Sequence, residues 1–141
     1  MCLAGASGAG AELLAAVPAQ DLRAYYVWVP MLPPDDEGAA ARAAELLAEP
    51  RALHYWDGER RLARLLGEAL AIPAGRSLGV EGGFGLAWDV YLAYPRDAAA
   101  LEAPAFWMHQ LGVTHAPRLD AAEWHRRVQR LLNAPAFEGR A

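Results

Sequence analysis

The residues best equipped for chemistry are a lone cysteine, Cys2, a carboxylate set in an apolar run, Asp89, the pair Trp56-Asp57, and four histidines. Cys2 heads the stretch Leu3-Ala4-Gly5-Ala6, which reads as the possible start of a helix. A thiol at that place is acidified by the helix dipole and the unpaired N–H groups of the first turn, and the thiolate is the nucleophile. The plainer reading is an inert thiol at a chain end. Asp89 interrupts Ala87-Trp88-Asp89-Val90-Tyr91-Leu92. A buried carboxylate costs several kcal/mol unless it is paired or protonated. Asp89 therefore either stores a proton or accepts structural hydrogen bonds from Trp56, an arginine or backbone N–H groups. Asp57 suits a helix cap, and Trp56 suits either a cleft wall or core filling. His54, His109, His115 and His125 show no His-x-x-x-His spacing on one helix. His109 and His115 straddle Gly112 and could approach one ion, but surface or strand-edge positions are the simpler reading. The glycines between 79 and 85 lack the Lys-Ser/Thr of a phosphate loop and precede a strand rather than a helix. No metal or cofactor is expected.

The elements that must position these residues belong to a chain of globular composition, 55% apolar and 21% charged over 141 residues. That is the usual size of one domain. All 13 basic residues are Arg, and 17 acidic residues leave a formal net charge of -4. No basic field exists to hold phosphate backbones, so nucleic acid is not an expected partner. One thiol excludes an internal disulfide framework and a multi-cysteine zinc site. No apolar run reaches the length of a membrane span, and no basic residue precedes the first apolar stretch as in a signal peptide. As written, the chain is expected to be cytoplasmic with no membrane partner.

Strand-like and helix-like segments alternate, which points to α/β. A first helix is clearest over residues 12–17. The aromatic and β-branched run within 22–29 predicts a strand covered on both faces. Pro30, Pro33 and Pro34 enforce a loop, and Asp35 or Asp36 caps an Ala-rich helix over 38–48. Residues 51–55 read as a short strand. Asp57 caps a helix whose stripe is Leu62, Leu65, Leu66, Ala69 and Leu70. Residues 75–85 hold five glycines and predict a loop. Residues 87–94 and 106–111 predict strands joined as a hairpin. Asp120 and Glu123 resemble a capping box for a last helix to Leu132, with Ala121, Trp124, Val128 and Leu131 facing inward. The predicted order is α, β, α, β, α, β, β, α.

Four blocks carry a more specific likeness: Val27-Trp28-Val29-Pro30-Met31-Leu32-Pro33, His54-Tyr55-Trp56-Asp57, Ala87-Trp88-Asp89-Val90-Tyr91-Leu92 and Phe106-Trp107-Met108-His109-Gln110-Leu111. With these the chain resembles a family of bacterial thioredoxin-like proteins, from Cys2 to at least Leu111. The family pattern opens with a strand and then Cys-x-x-Cys-x-x-Gly-Ala on the first helix. Cys2-Leu3-Ala4-Gly5-Ala6 matches its second cysteine and Gly-Ala. The other alignment puts Cys2 at the nucleophile position with Gly5 in place of the second cysteine. Leu86, before Ala87, stands near where thioredoxin folds place a cis-proline, so the usual peptide clamp is in question. The resemblance implies a mixed sheet flanked by helices, with the helix and strand of 38–55 as an insertion and the first central strand missing from an N-terminally shortened chain. It also implies a four-stranded order of 51–55, 22–29, 87–94 and 106–111, with marginal stability and self-association.

Functionally the resemblance implies a relative of thiol–disulfide oxidoreductases whose redox motif is incomplete. Cys2 and Asp89 would be its catalytic groups, and Trp56, Leu86 and Ala87 its substrate-binding residues. Partners would be protein or small-molecule thiols and disulfides. With one cysteine the chain could form a mixed disulfide with an outside thiol but not resolve it internally. The alternative is a redox-inactive thioredoxin-like binding module.

Overall fold

The computed structural model describes residues 3–18, 21–73, 85–111 and 116–134. Its architecture is mixed α/β, with helices packed on two small sheets. The first helical run starts at Leu3: α1 (Leu3–Ala6) passes through a π-helical segment (Ser7–Ala11) into α2 (Glu12–Ala16). The wider π turn is marked by the Glu12 N–H bonding to the Ser7 carbonyl. Carbonyls of this stretch are claimed from outside it. Tyr26 Oη donates to Ala6 O at 3.4 Å, Trp124 Nε1 donates to Ala9 O at 2.8 Å, and His125 Nε2 lies 2.9 Å from Gly8 O. Small residues in the run let these side chains approach. At the far end Arg51 donates to Val17 O at 2.8 Å and Leu14 O at 2.5 Å, satisfying carbonyls that the ending helix leaves open.

Strand β1 (Ala24–Trp28) pairs in parallel with β2 (Ala52–Trp56), Tyr26 opposite His54 and Trp28 opposite Trp56. The crossover carries α3 (Glu37–Leu46), capped by Asp36, whose Oδ1 accepts the Ala39 N–H at 2.6 Å. Asp35 organises the proline loop instead, accepting from Met31 N at 3.0 Å and Leu32 N at 2.9 Å. Asp57 reaches into the start of α4 (Arg61–Ala69), accepting the N–H groups of Arg61 and Ala63. Strand β3 (Val90–Ala93) pairs antiparallel with β4 (Phe106–His109), which confirms the hairpin. In α5 (Ala121–Leu132), Asp120 caps the Glu123 N–H, while the Glu123 side chain pairs with Arg126 and Arg127 rather than closing a capping box.

The four strands make two sheets, β1-β2 and β3-β4, and not the single ordered sheet expected from sequence. Separate apolar clusters hold the two pairs. Trp28 packs with Ala6, Ala40, Ala43 and Leu47, whereas Ala93 and Met108 pack with Ala9, Leu13, Val17, Trp124 and Val128. The first helical run contributes to both, so it joins the sheets without a hydrogen-bonded ladder between β1 and β3. On the other face of β3-β4, Val90, Leu92 and Trp107 pack against Leu66, Leu70 and Ile72 around α4. The expectation that residues 22–29 are covered on both faces fails. Tyr25 is 64% exposed, and Leu53 and Tyr55 on β2 are 41% and 51% exposed, because α4 packs on β3-β4 and leaves this outer face open. The glycine-rich residues 75–84 lie outside the described residues.

Candidate functional site

The groups best placed for chemistry gather where α1 meets the open end of the β3-β4 hairpin. Gly5, in α1, sits against Tyr91 of β3 and Gln110 just past β4. A Cβ there would fall 1.8 Å from Tyr91 Oη and 1.9 Å from Gln110 Oε1, so only glycine lets the helix approach this closely. Tyr91 Oη donates to Gln110 Oε1 at 2.6 Å, and Tyr91 meets Trp124 edge to face. The helix start is thereby held against the hairpin.

Asp89 immediately precedes β3 and has left-handed backbone, φ 53. Its carbonyl accepts the Gln110 N–H at 2.8 Å, which extends the hairpin by one bond while the turned backbone ends the strand. That explains why β3 begins at Val90 and not at Ala87. A non-glycine residue at positive φ is uncommon, and aspartate is among those that tolerate it. Burial pushes the Asp89 carboxyl above the ordinary carboxylate range, with His109 pulling the other way.

His109 ends β4, paired with Val90, and is 7% exposed. Its backbone is held on its outer side, its N–H donating to Pro117 O at 3.0 Å and its carbonyl accepting from Leu119 N at 2.8 Å. The ring Nδ1 accepts the Leu111 N–H at 3.1 Å, so the neutral ring carries its proton on Nε2. Burial lowers its pKa, and Asp89 opposes that shift. A carboxyl whose pKa is raised and an imidazole whose neutral form has a fixed tautomer thus share the open end of the hairpin, His109 on the Val90 face that packs toward α4 and Tyr91 on the opposite face that meets α1. From sequence, His109 reads only as a metal ligand or a strand-edge residue. The hairpin reading held the missing signal, because pairing residues 87–94 with 106–111 brings position 109 near position 89.

The other sequence-predicted site residues are dispersed. Cys2 lies outside the described residues, as does His115. Trp56 ends β2 and packs with Trp28 and α3, in the cluster belonging to the other sheet. Leu86 and Ala87 are buried at 7% and 6% exposure, and Ala87 packs with Leu66, Leu70 and Ile72. The Ala87 N–H already donates to Ala63 O at 2.8 Å, and the Trp88 N–H to Leu86 O at 3.1 Å, so neither amide is left to pair with a bound peptide. No group of three or more His, Cys, Asp or Glu side chains suited to a metal occurs among the described residues. No helix among them is long and apolar enough to cross a membrane. Comparison with protein-family models, curated proteins and solved structures found no match.

Proposed function

We propose that this chain is a thioredoxin-like relative of the thiol–disulfide oxidoreductases and that Cys2 is its reactive group, aided by Asp89. The observation that supports the reading is the close seat of Gly5 of α1 on Tyr91 and Gln110, residues next to Asp89 along β3 and across the hairpin from it, where the Gln110 N–H bonds the Asp89 carbonyl. Cys2 precedes that helix by one residue in sequence. The element order, with a parallel pair, an antiparallel hairpin and a covering helix, also suits a thioredoxin-like arrangement.

In this reading Cys2 attacks a disulfide of a small-molecule or protein partner. The S–S bond breaks, a new S–S bond forms to Cys2, and the departing sulfur leaves as a thiolate that takes up a proton. Asp89, held protonated more readily than an ordinary carboxyl, supplies that proton and later recovers one from the solvent. The single cysteine stops the sequence at the mixed disulfide until an outside thiol attacks.

The test is incubation of the full chain with oxidised glutathione and mass analysis of the product. One glutathione bound at Cys2, released by added reduced glutathione and formed more slowly by Asp89→Asn, is the expected result. No adduct at Cys2 under conditions that modify free cysteine would overturn the reading in favour of a redox-inactive binding module.

A further inference from the structure

A second histidine is built into the fold in a way the thiol chemistry does not use. His54 lies on β2 opposite Tyr26, inside a ladder of parallel rings. Its ring stacks on Tyr26 with centroids 4.6 Å apart and planes 6° apart, and lies 6.1 Å from Trp28 at 10°. Trp28 Nε1 donates to His54 Nδ1 at 3.3 Å. The neutral ring therefore carries its proton on Nε2. That nitrogen is buried, it makes no hydrogen bond of good geometry among the described residues, and the polar group acting on the ring besides Trp28 is the Leu47 backbone. The ladder forms the floor on which α3 sits, with Trp28 packed under Ala40, Ala43 and Leu47.

From this geometry we propose that His54 is an acid-released latch holding α3 onto the β1-β2 sheet. A proton added to the ring goes to Nδ1, where it meets the Trp28 indole N–H, donor against donor. The hydrogen bond is lost, and among the described residues no carboxylate acts on the resulting cation. From β1 the ring faces Tyr26, whose phenol stays protonated because burial and Glu49 both raise its pKa. From α3 it faces the side bearing Ala40 and Ala43, while Glu37, Arg42 and Glu45 are exposed. From the first helical run the cluster receives Ala6 and Ala11, neither charged. The Tyr26 ring face and the Leu47 backbone offset part of the cost. Burial outweighs them and keeps the ring neutral in the closed state. Protonation thus costs the ring its bond from Trp28 and favours its movement out of the ladder toward water, loosening Trp28 and the apolar seat of α3 with it.

The experiment is an NMR titration of the full chain from neutral to mildly acidic pH. It follows the His54 ring carbons, the Trp28 indole N–H and amide exchange of Ala40, Ala43 and Leu47. We expect His54 to titrate below the ordinary histidine value of about 6.5. The Trp28 signal should move with the same midpoint, and exchange in α3 should accelerate over the same step. Trp28→Phe, which keeps a ring but removes the donor, should move the His54 midpoint upward. His54→Phe, which cannot titrate, should flatten the Trp28 and α3 responses. A His54 midpoint at or above the ordinary value would overturn the proposal, as would a Trp28 signal or α3 exchange that ignores the His54 titration. If His54→Phe fails to fold, the Trp28→Phe shift decides.

Discussion

Replacing Gly5 with alanine tests how α1 meets the β3-β4 hairpin. The added methyl would lie 1.8 Å from Tyr91 Oη and 1.9 Å from Gln110 Oε1, where ordinary contact needs about 3.4 Å or more. Both groups must retreat by more than an ångström. Tyr91 is boxed in by its edge-to-face contact with Trp124, so it cannot simply swing away. The 2.6 Å bond between Tyr91 and Gln110 is then lost or distorted, worth about 1 kcal/mol. Overpacking adds roughly 1–3 kcal/mol. Helix propensity works the other way, since alanine is better than glycine by about 1 kcal/mol. The balance is a destabilisation of roughly 1–3 kcal/mol. Gly8 is the internal control, because among the described residues a Cβ there meets only Ala121 Cβ, at 3.8 Å. Gly8→Ala should stabilise the chain by up to about 1 kcal/mol. Urea melts of both variants, with midpoints compared at unchanged slope, make the measurement. Equal stabilisation by the two substitutions would refute the close approach of α1 to Tyr91 and Gln110.

Arg51→Ala should cost roughly 2–4 kcal/mol in the same melts, because the Leu14 and Val17 carbonyls lose charge-assisted donors and Glu49 loses its partner; a change under about 0.5 kcal/mol, usual for a surface site, would count against this cap. Asp89→Asn should stabilise the chain at neutral pH. A raised carboxyl pKa favours folding below the unfolded value of about 3.9, and that advantage is lost as pH rises through the folded value, so the variant's gain should vanish at low pH. His109 runs the opposite way: its lowered pKa supports the fold above about 6.5, and that support is lost as pH falls toward the folded value. His109→Gln should therefore flatten part of the acid-side loss of stability in melts at stepped pH, and an unchanged slope would show that His109 is not held neutral.

Local capping was legible in the sequence because it depends on residues close by. Asp36, Asp57 and Asp120 each bond the N–H groups of the helix that follows. The strand cores were legible from their aromatic and β-branched runs, and the hairpin from its connector. The π segment was not legible, since Ser7-Gly8-Ala9-Gly10-Ala11 has no apolar period and its Gly8 and Ala9 carbonyls are claimed by His125 and Trp124 from far along the chain. The separation into two sheets was likewise hidden, because it follows from how α3, α4 and α5 divide the apolar clusters among themselves. Asp89 stood out as a polar break in a strand pattern. Its left-handed turn and its His109 neighbour depend on pairing across the hairpin. Trp56 and Ala87 looked like one site in sequence but belong to different clusters in space.

The most direct test of the thiol reading is the rate of Cys2 alkylation by iodoacetamide as a function of pH, in the unaltered chain and in Asp89→Asn. The account predicts that Cys2 ionises below the free-cysteine value of about 8.5 and that Asp89→Asn shifts the profile. A profile matching free cysteine, and the same in both proteins, would contradict it.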